Sequence, residues 1–212
     1  MVSRILVHMC CGPCSIYPLR RVLADKHGSA KTSYDVHGFF YNPNIHPRAE
    51  FIKRLDAAKK LASLMELPVI FHEDYDPEPY FAGLTGMDKK SLPAAGRCTH
   101  CYQLRLRKTA EVAKANGFEY FSSSLLYSTF QNHENIIEEA KEAERETGVK
   151  FFYEDFRDGW QDGIEASKEM GLFRQNYCGC IFSKADRGLL SPRNKAEVKA
   201  RNKAARKKGT RA

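Results

Sequence analysis

Apolar positions along the chain fall into two alternating patterns. Residues 5–8, 34–41, 69–71, 118–123 and 149–153 are short, largely apolar runs bounded by turn residues, and they predict five strands. Between them, apolar residues recur at helical spacing. Ile16, Leu19, Val22 and Leu23 follow Ser15, which reads as an N-cap. Phe51, Leu55, Ala58, Leu61, Ala62 and Met65 follow Pro47, a residue suited to a first helical turn. Leu104, Ala110, Val112 and Ala113 follow Thr99, read as another cap, and Gly117 ends that helix. Residues 135–146 predict a strongly charged helix closed by Gly148, and residues 160–170 one closed by Gly171. A short helix is expected near 80–84, a polar Gly/Pro-punctuated loop over 85–96, and a short segment at 177–182. Strand and helix alternating in this way imply an α/β fold: a Rossmann-like parallel sheet of about five strands with helices on both faces. Sites in such folds form at the carboxyl ends of the strands. That rule brings residues 10–14, 42–46, 122–131 and 154–157 to one rim.

The length of 212 residues fits one catalytic domain, taken as 1–192, with a separate basic tail at 193–212. The tail holds nine Lys/Arg against one acid, Glu197, so the net charge of +8 belongs to it and the rest of the chain is balanced. Such a tail can track phosphates or simply be a solvated terminus. No apolar run approaches the roughly 20 residues of a membrane helix, and residues 5–9 are too short for a secretory signal. The expected setting is the cytoplasm, with no membrane partner. Thiols stay reduced there and are available for metal or redox chemistry.

All seven cysteines lie in three tight groups: Cys10, Cys11 and Cys14; Cys98 and Cys101; Cys178 and Cys180. Cysteines used merely as small apolar residues would be scattered. Cys11 and Cys14, like Cys98 and Cys101, have the spacing of a two-ligand clamp. Four thiols from the first two groups can complete a structural zinc site or a cubane cluster, and spacing does not separate the two. Cys101 is expected in a first helical turn, where the helix dipole would favour its thiolate. One zinc would leave three thiols unused. Cys178-Gly179-Cys180 is too tight for the usual clamp, and it permits either a small-ring, reducible disulfide or a third ligand pair.

Other polar residues are weaker signals. His46, His133 and Tyr177 are candidate proton donors, and Asp155 a candidate metal ligand or proton carrier. His8, inside a strand, reads as a satisfied core histidine. Phe39, Phe40, Tyr41 and Tyr177 are the aromatic side chains considered for base stacking.

Taken together, the motifs resemble the QueH-type epoxyqueuosine reductase family. The resemblance is carried by Cys-Cys-Gly-Pro-Cys-Ser at 10–15, Gly-Phe-Phe-Tyr-Asn-Pro-Asn-Ile-His-Pro at 38–47 and Arg-Cys-x-x-Cys-Tyr-x-Leu-Arg-Leu at 97–106. Gln-Asn-His at 131–133, Tyr-Glu-Asp-Phe-Arg at 153–157 and Tyr-Cys-Gly-Cys-Ile-Phe-Ser at 177–183 complete it. It implies a nucleotide-hydrolase-like Rossmann variant. It also implies the last step of queuosine synthesis on a tRNA with a GUN-type anticodon: reduction of the epoxide of epoxyqueuosine at the wobble position, without cobalamin and with an external electron donor. Further implications are a 4Fe-4S cluster on Cys10, Cys11, Cys98 and Cys101, a redox-active disulfide at Cys178 and Cys180, and an additional iron. Cys14 and Asp155 are open candidates to bind that iron.

Two rival readings stand beside this one. A tRNA-sulfurating enzyme on a related fold would need the Ser-Gly-Gly-x-Asp-Ser pyrophosphate loop after the first strand, where Cys-Cys-Gly-Pro-Cys-Ser stands instead. A zinc protein that binds RNA without catalysis would be told apart by its metal content.

Overall fold

The computed structural model describes residues 2–24, 34–85 and 94–188. The expectations for residues 28–33, for most of the 85–96 loop and for the basic tail lie outside them.

The chain runs β1 (Ser3–His8), α1 (Gly12–Ala24), β2 (Tyr34–Phe40), α2 (Arg48–Leu64), β3 (Val69–Phe71), α3 (Glu78–Gly83) and α4 (Ala94–Ala115). It continues with β4 (Tyr120–Ser123), α5 (His133–Thr147), β5 (Lys150–Phe151), α6 (Trp160–Glu169) and α7 (Ile181–Asp186). All five predicted strands are present in one parallel sheet, ordered β3-β2-β1-β4-β5. Central β1 carries the wholly buried run Ile5, Leu6 and Val7, as expected of a strand covered on both faces.

From β1 the chain steps outward to β2 and β3, then returns to the other side of β1 for β4 and β5. Right-handed crossovers therefore put α1 and α2 on one face and α4 and α5 on the other. The packing agrees: α1 lies against α2 and α6, and α4 against α5. The reversal opens a crevice between the carboxyl ends of β1 and β4. The residues after β1, at 9–14, and after β4, at 124–131, border it.

Two helix starts differ from expectation. Helix α1 begins at Gly12, not after Ser15, and α4 begins at Ala94, not after Thr99. Pro13 suits a first turn because its missing N–H would have no helical partner there. Ser15 lies inside the helix, where its hydroxyl donates back to the Cys11 carbonyl at 2.7 Å. Thr99 instead accepts a 2.7 Å bond from the Asn135 side chain on α5. Cys98 and Cys101 consequently lie beyond the first turn of α4. Helix α5 starts as a capped helix should, with the Asn132 side chain accepting from the Asn135 N–H at 3.1 Å, and it ends at left-handed Gly148. Among the described residues, no helix is long and apolar enough to cross a membrane.

Candidate metal centre

The first cysteine group is held by its flanks. At the end of β1, His8 is fully buried between neighbouring strands, with Nδ1 2.9 Å from Ser123 Oγ and Nε2 3.1 Å from the Tyr41 carbonyl. Asn42 donates to the Met9 carbonyl at 2.9 Å, and the Cys10 N–H donates to Ser124 Oγ at 2.9 Å. The turn into α1 is thus tied to the segments after β2 and β4. It brings the sulfurs of Cys10, Cys11 and Cys14 within 4.8 Å of one another. Gln175 Nε2 donates to both Cys11 Sγ, at 3.0 Å, and Cys14 Sγ, at 3.1 Å.

Helix α4 supplies the second group. Arg105 follows Cys101 by one helical turn, so both share a face. Its buried guanidinium lies 3.6 Å from Cys101 Sγ and donates to Asn42 Oδ1 at 2.9 Å. Burial opposes its charge, yet the neighbouring sulfurs of Cys101 and Cys10 favour the charged guanidinium on balance. Arg105 therefore interacts with thiols of both groups.

The third group follows α6. Arg54 on α2 is buried and donates to the carbonyls of Tyr177 and Cys178, each at 2.9 Å, and to Glu50 at 2.9 Å. Gly179 has φ +133°, and a Cβ there would stand 3.0 Å from Arg54 Nη1. Glycine is what lets this backbone lie against the guanidinium. Cys180 caps α7 by accepting from the Ser183 N–H at 3.3 Å, and it packs with Tyr80 and Cys101. The exposed Cys178 accepts from Gln131 Nε2 at 3.2 Å, and Gln131 Oε1 in turn accepts from the Tyr102 hydroxyl at 2.7 Å.

All three groups border one cavity of about 410 Å³, to which Cys10, Cys14, Cys98, Cys178 and Cys180 contribute. Five arginines line it against one acid, Asp186, which pairs with Arg97. Its electrostatics favour anionic contents. Hydrogen bonds from Cys11 and Cys14, with Arg105 nearby, hold the Cys10 thiol well below its ordinary value. The same sharing raises Cys14, while burial raises Cys11. Burial also pushes Cys98 up to about 11 and Cys101 up to about 12, so the expected dipole-favoured thiolate at Cys101 is corrected. The earlier start of α4 also places Cys101 beyond the first helical turn.

The remaining candidates divide. Tyr177 lines the cavity, but its hydroxyl donates to the His46 carbonyl at 2.9 Å. His46 is buried against Tyr75 and does not line the cavity. His133 sits against Tyr153 at 3.2 Å and Asp155 at 4.0 Å, likewise outside the lining. The Asp155 carboxylate is held by Arg157, whose hydrogen bonds keep its pKa down at about 2. Phe39, Phe40 and Tyr41 are core residues on or just after a strand paired on both sides, so of the four expected stacking aromatics only Tyr177 borders the cavity.

A family model described as epoxyqueuosine reductase QueH matches residues 5–186. The chain belongs to that family. An epoxyqueuosine reductase QueH of Dehalococcoides mccartyi is 37% identical over 187 residues, covering 88% of this chain and 96% of that protein. One of Thermotoga maritima is 38% identical over 190 residues, with 88% and 93% covered, and one of Staphylococcus epidermidis is 30% identical over 195 residues, with 88% and 78% covered. The QueH match spans every cysteine and stops before the basic tail. Within this QueH-family chain, Arg54 and Gln175 border the cavity without having been marked in the sequence, and Arg105, part of the motif at 97–106, had no role assigned. For Arg105 a signal existed, its i+4 spacing from Cys101. Gln175 and Arg54 carry no comparable mark.

Proposed function

We propose that the chain is an epoxyqueuosine reductase. It reduces the epoxide of epoxyqueuosine, at the wobble position of a tRNA with a GUN-type anticodon, to the alkene of queuosine. The observation that carries this reading is the convergence of all three cysteine groups on one arginine-lined cavity at the sheet's crevice, in a chain of this family. Such a substrate belongs in the cytoplasm, with residues 1–192 as the catalytic domain.

The donor set fits an iron–sulfur centre. Three sulfurs lie within 4.8 Å with no carboxylate in the group, Cys98 borders the same cavity, and Arg105 stands by to offset negative charge near Cys10 and Cys101. We assign Cys10, Cys11, Cys98 and Cys101 to hold a 4Fe-4S cluster, leaving Cys14 for an additional iron. When bound, such a centre supplies electrons singly and offers a Lewis-acidic iron.

The reaction consumes two electrons and two protons: both C–O bonds of the epoxide break, a C=C bond forms and the oxygen leaves as water. Oxidation of the Cys178 and Cys180 thiols to a disulfide releases two electrons and two protons, which matches that demand. Gln131 orients Cys178 and links it to Tyr102. The Tyr177 ring walls the cavity, with its hydroxyl proton committed to His46. An external reductant regenerates the dithiol.

Protein reconstituted without oxygen, given epoxyqueuosine-tRNA and a low-potential reductant, is expected to yield queuosine in nuclease digests read by mass spectrometry. Cys178→Ser is expected to abolish the product and leave cluster absorbance intact. Loss of that absorbance would make Cys178 a metal ligand instead. A cluster-loaded wild type that forms no queuosine would refute the assignment.

A further inference from the structure

Phe130 is 72% exposed, although it borders the arginine-lined cavity. Burial gives folding little return from so exposed a ring, so packing does not account for it. Nor is the ring isolated. It stands nearly perpendicular to Trp160, at 77° with centroids 5.6 Å apart, and Trp160 lies 5.1 Å from Tyr127. Tyr127 lines the same cavity wall as Cys10 and Cys14. The three rings therefore form a row from solvent to that wall. The Arg187 guanidinium lies 5.7 Å over the Phe130 ring, and Arg97 and Arg174 line the same cavity.

An exposed aromatic ring beside arginines matches a ligand that carries flat π-faces on an anionic backbone. Single-stranded nucleic acid has that chemistry, and loop bases are recognised by stacking once unstacked from their neighbours. We propose that Phe130 is the stacking platform for an anticodon-loop base next to the one that enters the cavity, with Arg187 moving from the ring face to an adjacent phosphate. This rests on the tRNA substrate proposed above. It replaces the strand aromatics Phe39, Phe40 and Tyr41, which are buried.

The chain contains its own reporter, because Trp160 is its single tryptophan. Unmodified anticodon stem–loop RNA titrated into the full-length protein is expected to quench Trp160 fluorescence. Phe130→Ala is expected to weaken binding about 5- to 100-fold with its salt dependence unchanged, and Phe130→Tyr to bind within about twofold of wild type. Arg187→Gln is expected to reduce the salt slope by roughly 0.7. In a series of stem–loops carrying one abasic loop position each, one position is expected to weaken wild type but not Phe130→Ala. Thermal unfolding of Phe130→Ala should match wild type, since the ring is exposed.

Wild-type affinity of Phe130→Ala across the abasic series would overturn the platform while leaving the reductase reading intact, provided wild type turns over. Intact RNA binding with impaired use of a protein reductant would make Phe130 a donor-docking residue and likewise overturn it. A cluster-loaded wild type that neither binds the stem–loop nor forms queuosine would overturn both.

Discussion

Arg54 and Arg105 are the two arginines buried among the described residues, and they hold different things. Arg105 sets positive charge beside thiols, whereas Arg54 braces backbone, donating to the carbonyls of the two peptide units that flank Cys178. Arg54→Met would leave those carbonyls and Glu50 without their partner. We expect a loss on the order of 3 kcal/mol in urea denaturation, with Arg54→Lys recovering little, since one ammonium cannot reproduce the planar fork. A variant within about 0.5 kcal/mol of wild type, the range of ordinary surface changes, would show that water replaces these bonds. At this scale the thiols were legible because their spacing is chemically unusual. Arg54 was not, because an arginine at helical spacing reads by default as part of a solvated face, and Arg105 was marked only by its spacing from Cys101. Burial, which decides otherwise, is a property of the packed helices.

Elements fix where the sulfurs stand. Helix α1 can start at Gly12 only because no side chain intervenes between it and α2: a Cβ there would lie 2.6 Å from the Ala57 carbonyl oxygen. Gly12→Ala should push α1 away from α2 and shift Cys11 and Cys14 with it. We expect a destabilisation of about 1–3 kcal/mol, as for other overpacked contacts, read as a lower thermal midpoint together with less iron retained after desalting. An unchanged midpoint and iron content would show that the interface yields without moving the thiols. The existence of these elements was readable from apolar spacing, but their starts were not. Ser15 is satisfied from inside its helix and Thr99 by a neighbouring helix, so the residues read as caps are not at the ends. The aromatic residues Phe39, Phe40 and Tyr41 took the commoner role of strand aromatics, in the core, because β2 is paired on both sides.

At the scale of the whole molecule, strand order does the gathering. Cysteines separated by most of the chain meet because β1 and β4 are adjacent while their connections leave in opposite directions. That rim was legible from the strand–helix alternation, although Asp155 and His46, assigned to the same rim, do not line the cavity. Charge is divided as well: the described domain has an arginine-lined cavity, and the sequence adds nine Lys/Arg over residues 193–212. Deleting 193–212 should weaken tRNA binding and flatten its salt dependence while leaving cluster absorbance unchanged. Unaltered binding would make the tail a bystander. We propose above that these thiols form an iron–sulfur reductase centre. Metal and acid-labile sulfide content, measured with an absorbance spectrum on protein purified without oxygen, tests it most directly. About four irons and four sulfides per chain are expected, with reproducible excess iron marking a second site. One zinc without sulfide, persisting after anaerobic reconstitution, would contradict the claim and favour an RNA-binding scaffold.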